Sequence, residues 1–279
     1  MSQSQVAYIV GAGKGLSASL ARLCSREGMR VALMARNTEK LAPLVAETQA
    51  MAIAGDASNP LDVENAFKTV EQQWGAPQLV VYNANYRTRG AITGLDPAEV
   101  DKTLKVSAFA GFLVAQAAAK RMLARGSGSL FFTGASASIK GFANSSAFAM
   151  GKFALRGLAQ SLARELGPQG IHVAHFVIDG GIRSGPTDAR GADRGCAGPG
   201  AGALGGARQH ARAVRPRHRQ VPGGAADARA AGEPRGRRGR AAQPHCRLVK
   251  PLYAAIRRSG LELALVEEVA AASAGPVRD

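Results

Sequence analysis

Isoleucine, phenylalanine, tyrosine, tryptophan, methionine and lysine are all missing between Arg183 and Arg247 of this 279-residue chain. The large aliphatics there are Leu204, Val214 and Val221, set among 14 arginines and many Gly, Ala and Pro. Such a stretch cannot bury enough apolar surface to offset the entropy of ordering it, so disorder is expected. Residues 1–182 carry 18 Lys+Arg against 12 Asp+Glu, and residues 183–279 carry 18 against 8, so the net charge of +16 divides into +6 and +10. A pI near 10.7 would ordinarily point to nucleic acid or an acidic membrane surface. The basic runs "RPRHRQ" and "EPRGRRGR" have no aromatic residues for base stacking, and a nucleic-acid partner is not expected. Arg, Gly, Ala and Pro share G/C-rich codons, so the abrupt switch fits a GC-rich gene read out of frame from about Arg183. A natural disordered tail and a nucleic-acid arm stand as the alternatives.

Cysteine is scarce too. Cys24, Cys196 and Cys246 are an odd set with no Cys-x-x-Cys spacing, which argues against a disulfide framework or a zinc site and suits a reducing, cytoplasmic location. No metal site is expected. No signal-peptide pattern opens the chain, and the most apolar helical run, "VSAFAGFLVAQAAA" at 106–119, is shorter than the roughly 20 residues that span a bilayer. A membrane association is therefore not expected.

What is present lies in residues 1–182. Short apolar runs at 6–10, 30–35, 51–56, 78–83, 129–135 and 172–179 alternate with segments of helical periodicity, among them one long helix from Asp96 and Pro97 to about Arg125 and another from Ser145 to Leu166. Near-continuous apolar strands are buried on both faces, and helix-length connections require parallel pairing. The expected fold class is α/β, a doubly wound parallel sheet (Rossmann fold), with ligands at the carboxyl ends of its strands. Residues 1–182 form the expected dinucleotide-binding and catalytic domain, 183–247 the arginine-rich segment, and 248–279 a short helical or irregular end.

"VGAGKGLS" at 10–17 joins the first strand to the first helix. Gly11, Gly13 and Gly15 let backbone N–H groups approach a pyrophosphate at a helix N-terminus, although a tight turn alone would use the same residues. In this position the motif resembles the Thr-Gly-x-x-x-Gly-x-Gly of the short-chain dehydrogenase/reductase family, with Val10 for the threonine and Ser17 for the last glycine. Ser17 is expected to crowd the helix where it approaches the loop.

The resemblance implies a nicotinamide cofactor. It carries the cofactor-binding role to Gly11, Gly13, Lys14, Gly15 and Leu16, to Asp56 against the adenine amino group, to Asn83 beside the cofactor, and to Gly180 and Ile182 after the sixth strand. Arg36 stands where an acidic residue would hold the ribose 2′-hydroxyl, and its guanidinium suits a 2′-phosphate, so NADP is favoured and NAD is the alternative. Tyr82 replaces the first Asn of the family's Asn-Asn-Ala-Gly, and Asn85 its glycine.

Within "AFAMGKFAL" at 147–155, Phe148 and Lys152 are four residues apart and share a helix face. In the family these positions hold a tyrosine that protonates the carbonyl oxygen and a lysine that depresses the tyrosine's pKa and holds the nicotinamide ribose. Lys152 is the lysine, while Phe148 has no proton to give. The serine position falls on Ala135, with Ser136 adjacent, and Ser107 stands at the asparagine position. Tyr86, Ser136 or water are the candidates for supplying a proton instead.

The expected activity is hydride transfer between NADP(H) and a small carbonyl or alcohol substrate at an impaired site, with a non-catalytic nucleotide-binding protein as the second reading. The resemblance also implies a homo-oligomer, provided the C-terminal region folds. Residues 183–247 replace the family's substrate-covering segment, so the sheet is expected to be incomplete at its C-terminal edge, with an exposed sixth strand.

Overall fold

The run VAYIV forms β1 (Val6–Val10), buried along its whole length, and its side chains alternate between two cores. Val6, Tyr8 and Val10 face one layer of helices, whereas Ala7 and Ile9 face the other, the period-2 consequence of a strand covered on both sides. The computed structural model describes residues 5–179 and the strand 262–268, and these belong to one compact unit.

From β1 the chain continues through α1 (Leu16–Arg26), β2 (Arg30–Ala35), α2 (Ala42–Thr48), β3 (Met51–Ala54), α3 (Pro60–Trp74) and β4 (Leu79–Tyr82). It then forms α4 (Pro97–Leu104), α5 (Ala110–Arg125), β5 (Gly128–Ala135), α6 (Ser146–Leu166), β6 (Ile171–Asp179) and β7 (Glu262–Glu268). The sheet order is β3-β2-β1-β4-β5-β6-β7, parallel from β3 to β6. β1 therefore sits where the strand order reverses, and the crevice beyond its carboxyl end is where such sheets bind ligands.

Caps explain several boundaries. Asn59 accepts a hydrogen bond from the Leu61 N–H at 2.9 Å with Pro60 next to it, and Asp96 does the same for Ala98 at 2.9 Å ahead of Pro97. On the α3–α5 side, Phe67 meets Tyr8 edge-on at 4.9 Å and lies beneath the Arg121 guanidinium, which pairs with Glu64 and Glu71 at 3.0 Å each.

Two expectations need correction. The long helix from 96 to 125 is broken by a π turn at Lys105–Phe109 between α4 and α5. The carbonyl of Val106 in this turn accepts the Tyr82 hydroxyl, which ties the π turn to the end of β4. The sheet is also not left incomplete beyond β6. β7 pairs with it antiparallel, from Ala174↔Glu268 to Asp179↔Glu262, with a bulge between Val177 and Ile178, so β6 is not an exposed edge. For the run "LELALVE" the sequence leaves an edge strand open beside the helical patterning of 248–275, and pairing with β6 decides for the strand.

The expectations for residues 183–247, and for Gly180 and Ile182, lie outside the described residues. No described helix is long and apolar enough to cross a membrane.

Candidate active site

The loop after β1 turns back at Gly11, whose φ of +83° few side chains adopt. A Cβ there would fall 2.3 Å from the Ala84 nitrogen, so the first glycine is required both by backbone conformation and by the approach of the loop after β4. Gly13 differs: a Cβ on it would meet no protein atom within 4 Å. No neighbouring atom among the described residues therefore demands a glycine at 13, and the space beside it is open.

Ser17 does not crowd the helix. It is buried, its hydroxyl donates to the Gly11 carbonyl at 3.0 Å, and it accepts from the Asn83 amide at 2.7 Å. Asn83 also donates its backbone N–H to Val10 at 2.8 Å. The serine that replaces the glycine is thus a bridge between the turn, α1 and the end of β4. Leu16 is likewise buried in the α1 core, so of its groups only the backbone remains for a ligand.

A cavity of about 340 Å³ opens beside this loop, bounded by Gly11 and Ala12, the end of β2 (Arg36, Asn37, Lys40), the end of β3 (Gly55, Asp56, Ala57) and the Asn83–Asn85 turn. Lys14 is exposed on the glycine loop and does not line this cavity; the second cation there is Lys40. Sequence reasoning missed Lys40, which the 3-10 turn at Glu39–Leu41 after β2 brings to the cavity and which no periodicity from Arg36 signals. Burial pushes the Asp56 carboxyl up, but the Ser58 N–H and hydroxyl, at 2.8 and 2.7 Å from the same oxygen, together with the Arg36 charge, hold it below its ordinary value. Its other oxygen makes no such bond among the described residues.

At the far end, α6 carries Phe148 and Lys152. Lys152 is 3% exposed, and its ammonium donates to the Thr133 carbonyl at 2.8 Å. Burial lowers its pKa from 10.5 to about 8. Phe148 is buried among Ala135, Ala137 and Ala149, with the Lys152 Nζ 5.8 Å from its ring centroid. Over the same ring, at 4.6 Å, stands the guanidinium of Arg87, a residue that sequence reasoning did not single out.

Ser136 is half-buried in the turn after β5, and its hydroxyl makes no hydrogen bond among the described residues. Ser107 is fully buried in the π turn and donates to the Tyr86 carbonyl at 3.3 Å. A Cβ on Gly151 would come within 2.8 Å of the Ser107 Cβ, so the small residue before Lys152 lets the π turn close against α6. Tyr86, a candidate proton donor, instead gives its hydroxyl to Glu99 at 2.5 Å, with the Lys102 ammonium over its ring.

The chain places a glycine turn at the switch point, a cationic cavity at the ends of β2 and β3 and a buried lysine on α6, and a family model described as short chain dehydrogenase matches residues 5–194. The chain belongs to the short-chain dehydrogenase family. An uncharacterized oxidoreductase of Staphylococcus aureus is 30% identical over 195 residues, covering 66% of this chain and 83% of the relative. A short-chain dehydrogenase/reductase of Armillaria gallica is 30% identical over 185 residues, covering 63% and 71%. Among solved structures, a short-chain dehydrogenase from Rhodopseudomonas palustris superposes with a TM-score of 0.59 at 35% identity, covering 63% of this chain and 85% of that one. A gluconate 5-dehydrogenase from Burkholderia cenocepacia, solved with NADP and tartrate, gives a TM-score of 0.60 at 26% identity, covering 63% and 71%. Membership of this oxidoreductase family implies a nicotinamide dinucleotide cofactor and a small-molecule substrate.

Proposed function

We propose that this short-chain dehydrogenase binds NADP(H) in preference to NAD(H) and acts, with a weakened proton donor, on a small carbonyl or alcohol substrate. The observation that carries the reading is the pairing of a cationic cavity at the ends of β2 and β3 with a buried lysine whose aromatic neighbour has no hydroxyl.

The residues present fit the cofactor. Gly13 has open space where a pyrophosphate would approach, and the N-terminus of α1 offers N–H groups and positive potential to it. Arg36 and Lys40 would hold a ribose 2′-phosphate, and the unbonded oxygen of Asp56 would accept from the adenine amino group. When bound, the nicotinamide supplies or takes up the hydride. Lys152, held in place by Thr133, would donate to the nicotinamide ribose. The half-buried Ser136 hydroxyl would bind a substrate oxygen. Phe148 fills the position beside Lys152 without offering a proton, so ordinary carbonyl reduction should be slower by about 10²–10⁴-fold than with a positioned acid. That the NADP complex named above comes from a relative of the same fold supports the cofactor assignment.

Arg36→Glu is expected to reverse the nucleotide preference. NADPH affinity should fall about 10–100-fold while NADH affinity holds or rises, read by fluorescence titration of the full chain. An unchanged NADPH:NADH ratio would remove Arg36 from the phosphate site.

Phe148 also favours a second reading, a nucleotide-binding protein without turnover. NADPH oxidation followed over a panel of carbonyl compounds separates the two, since binding without oxidation supports the second.

A cytoplasmic location and a homo-oligomer complete the proposal. Phe109 and Phe112 stack at 6.4 Å on the exposed side of the π turn and α5, and Met150 and Phe153 are 51% and 44% exposed on α6. Such a patch suits a second copy of this chain. Sedimentation velocity is expected to show a dimer or larger species that shifts toward monomer in Phe112→Glu/Phe153→Glu.

A further inference from the structure

The loop following β4 reads Asn83-Ala84-Asn85-Tyr86-Arg87-Thr88-Arg89-Gly90. It places two arginines at the end of the site where Phe148 and Lys152 lie, away from the Arg36 end. Arg87 stands over the Phe148 ring with its guanidinium carbon 4.6 Å from the centroid, one helical turn from Lys152 on the same helix face. The other internal ion pairs among the described residues use Arg22, Lys102, Lys105 and Arg121. Neither Arg87 nor Arg89 has a carboxylate partner there. The nearby carboxylate on α4, Glu99, is already occupied by the Tyr86 hydroxyl at 2.5 Å and the Lys102 ammonium at 3.7 Å.

Both arginines are exposed, so neither is required to fill the core. Arg87 lies over the Phe148 ring, as the buried Lys152 does, and feels the like charge of Arg89 two residues on, so its position gains from an anion. Partial burial and the charge of Arg89 hold the Arg87 guanidinium below its ordinary range, the direction that repulsion without a partner produces. An aromatic face holds a guanidinium in place while leaving its N–H edge open, and that edge matches the two oxygens of a carboxylate.

We propose that Arg87, assisted by Arg89, anchors a carboxylate on the substrate, so that the protein's substrate class is an oxo acid or hydroxy acid rather than a neutral ketone or alcohol. The inference rests on the oxidoreductase reading above. The loop then orients the substrate beside Lys152 through charge at the remote end of the molecule, and the proton donor stays as weak as before.

The test is a panel of short 2-oxo, 3-oxo and 4-oxo acids, each beside its own methyl ester. Binding to the full chain is measured by ligand-detected NMR, with and without NADPH, after a separate titration has established NADPH affinity. For at least one skeleton the acid should bind tenfold or more tightly than its ester. The ratio should shrink in high salt, fall to within twofold in Arg87→Gln, recover in part in Arg87→Lys, and drop less in Arg89→Gln. NADPH affinity in Arg87→Gln should stay within twofold of the parent, with an unchanged thermal melt.

Acid-to-ester ratios near one across the panel, or a ratio unmoved by Arg87→Gln, would overturn the proposal. So would equal loss of acid and ester, which is the signature of Arg87 serving only to cover Phe148. Loss of NADPH affinity in Arg87→Gln would overturn it by placing the residue on the cofactor. Failure of the parent protein to bind NADPH is a different result, which removes the nucleotide reading itself and is seen before the acids are added.

Discussion

Phe148→Tyr is expected to raise NADPH-dependent carbonyl reduction by about 10²–10⁴-fold, the usual contribution of a positioned general acid. The side chain occupies the first turn of α6, 7% exposed, among Ala135, Ala137 and Ala149. These neighbours are small, so a para hydroxyl can be added without displacing a large side chain. Two cations already flank the ring, the Lys152 ammonium at 5.8 Å and the Arg87 guanidinium at 4.6 Å from its centroid. Both would favour the phenolate and draw the new tyrosine below its ordinary pKa of about 10. Turnover measured at saturating NADPH, with the thermal melt as a check on folding, reads the result. If the variant folds and binds NADPH but oxidises none of it against the carbonyl panel, the site does not assemble for chemistry, and the non-catalytic reading stands.

Lys152→Met is expected to stabilise the nucleotide-free protein at pH 7 by on the order of 2–3 kcal/mol, while reducing NADPH affinity about tenfold or more. Burial lowers the Lys152 pKa from 10.5 to about 8. Between these values the unfolded chain holds a proton that the folded chain has lost, so stability rises with pH across that window. Below about pH 8 both states are protonated and the cost of keeping an ammonium out of water is present in full. The hydrogen bond to Thr133 at 2.8 Å recovers a part of it. Urea denaturation at pH 7, 8, 9 and 10 should therefore show the wild type gaining on the methionine variant as pH rises. A difference independent of pH, or one that widens upward, would contradict a buried, strained ammonium. A residue that destabilises the empty protein is retained where a ligand uses its charge, which is the sense in which stability and function oppose each other here.

Ser17 and Tyr82 show how a departure from a family pattern reads differently in three dimensions. In the sequence each is a lost motif residue. In the structure Ser17 links Gly11 to Asn83, and Tyr82 donates its hydroxyl to a carbonyl of the π turn. Each side chain thus makes a hydrogen bond between segments distant in the chain. A serine hydroxyl offers a donor and an acceptor at once, which is what lets one side chain satisfy both the turn and the asparagine amide.

The six parallel strands, the helices between them, the glycine turn after β1, and the pairing of Phe148 with Lys152 on one helix face were all determined by local sequence. Each depends on periodicity, caps and glycines within a few residues, and burying apolar faces on both sides of a sheet leaves little choice of fold class. The tertiary structure alone decided the rest. The seventh strand needs the edge of β6, the π turn meets a hydroxyl 24 residues away in the chain, the Ser17 bridge needs an amide 66 residues away, and Arg87 reaches Phe148 only because the loops after β4 and β5 open at the same end of the sheet. Contacts of this kind are set by strand order and crossover geometry, which bring together residues whose separation along the chain carries no periodic signal.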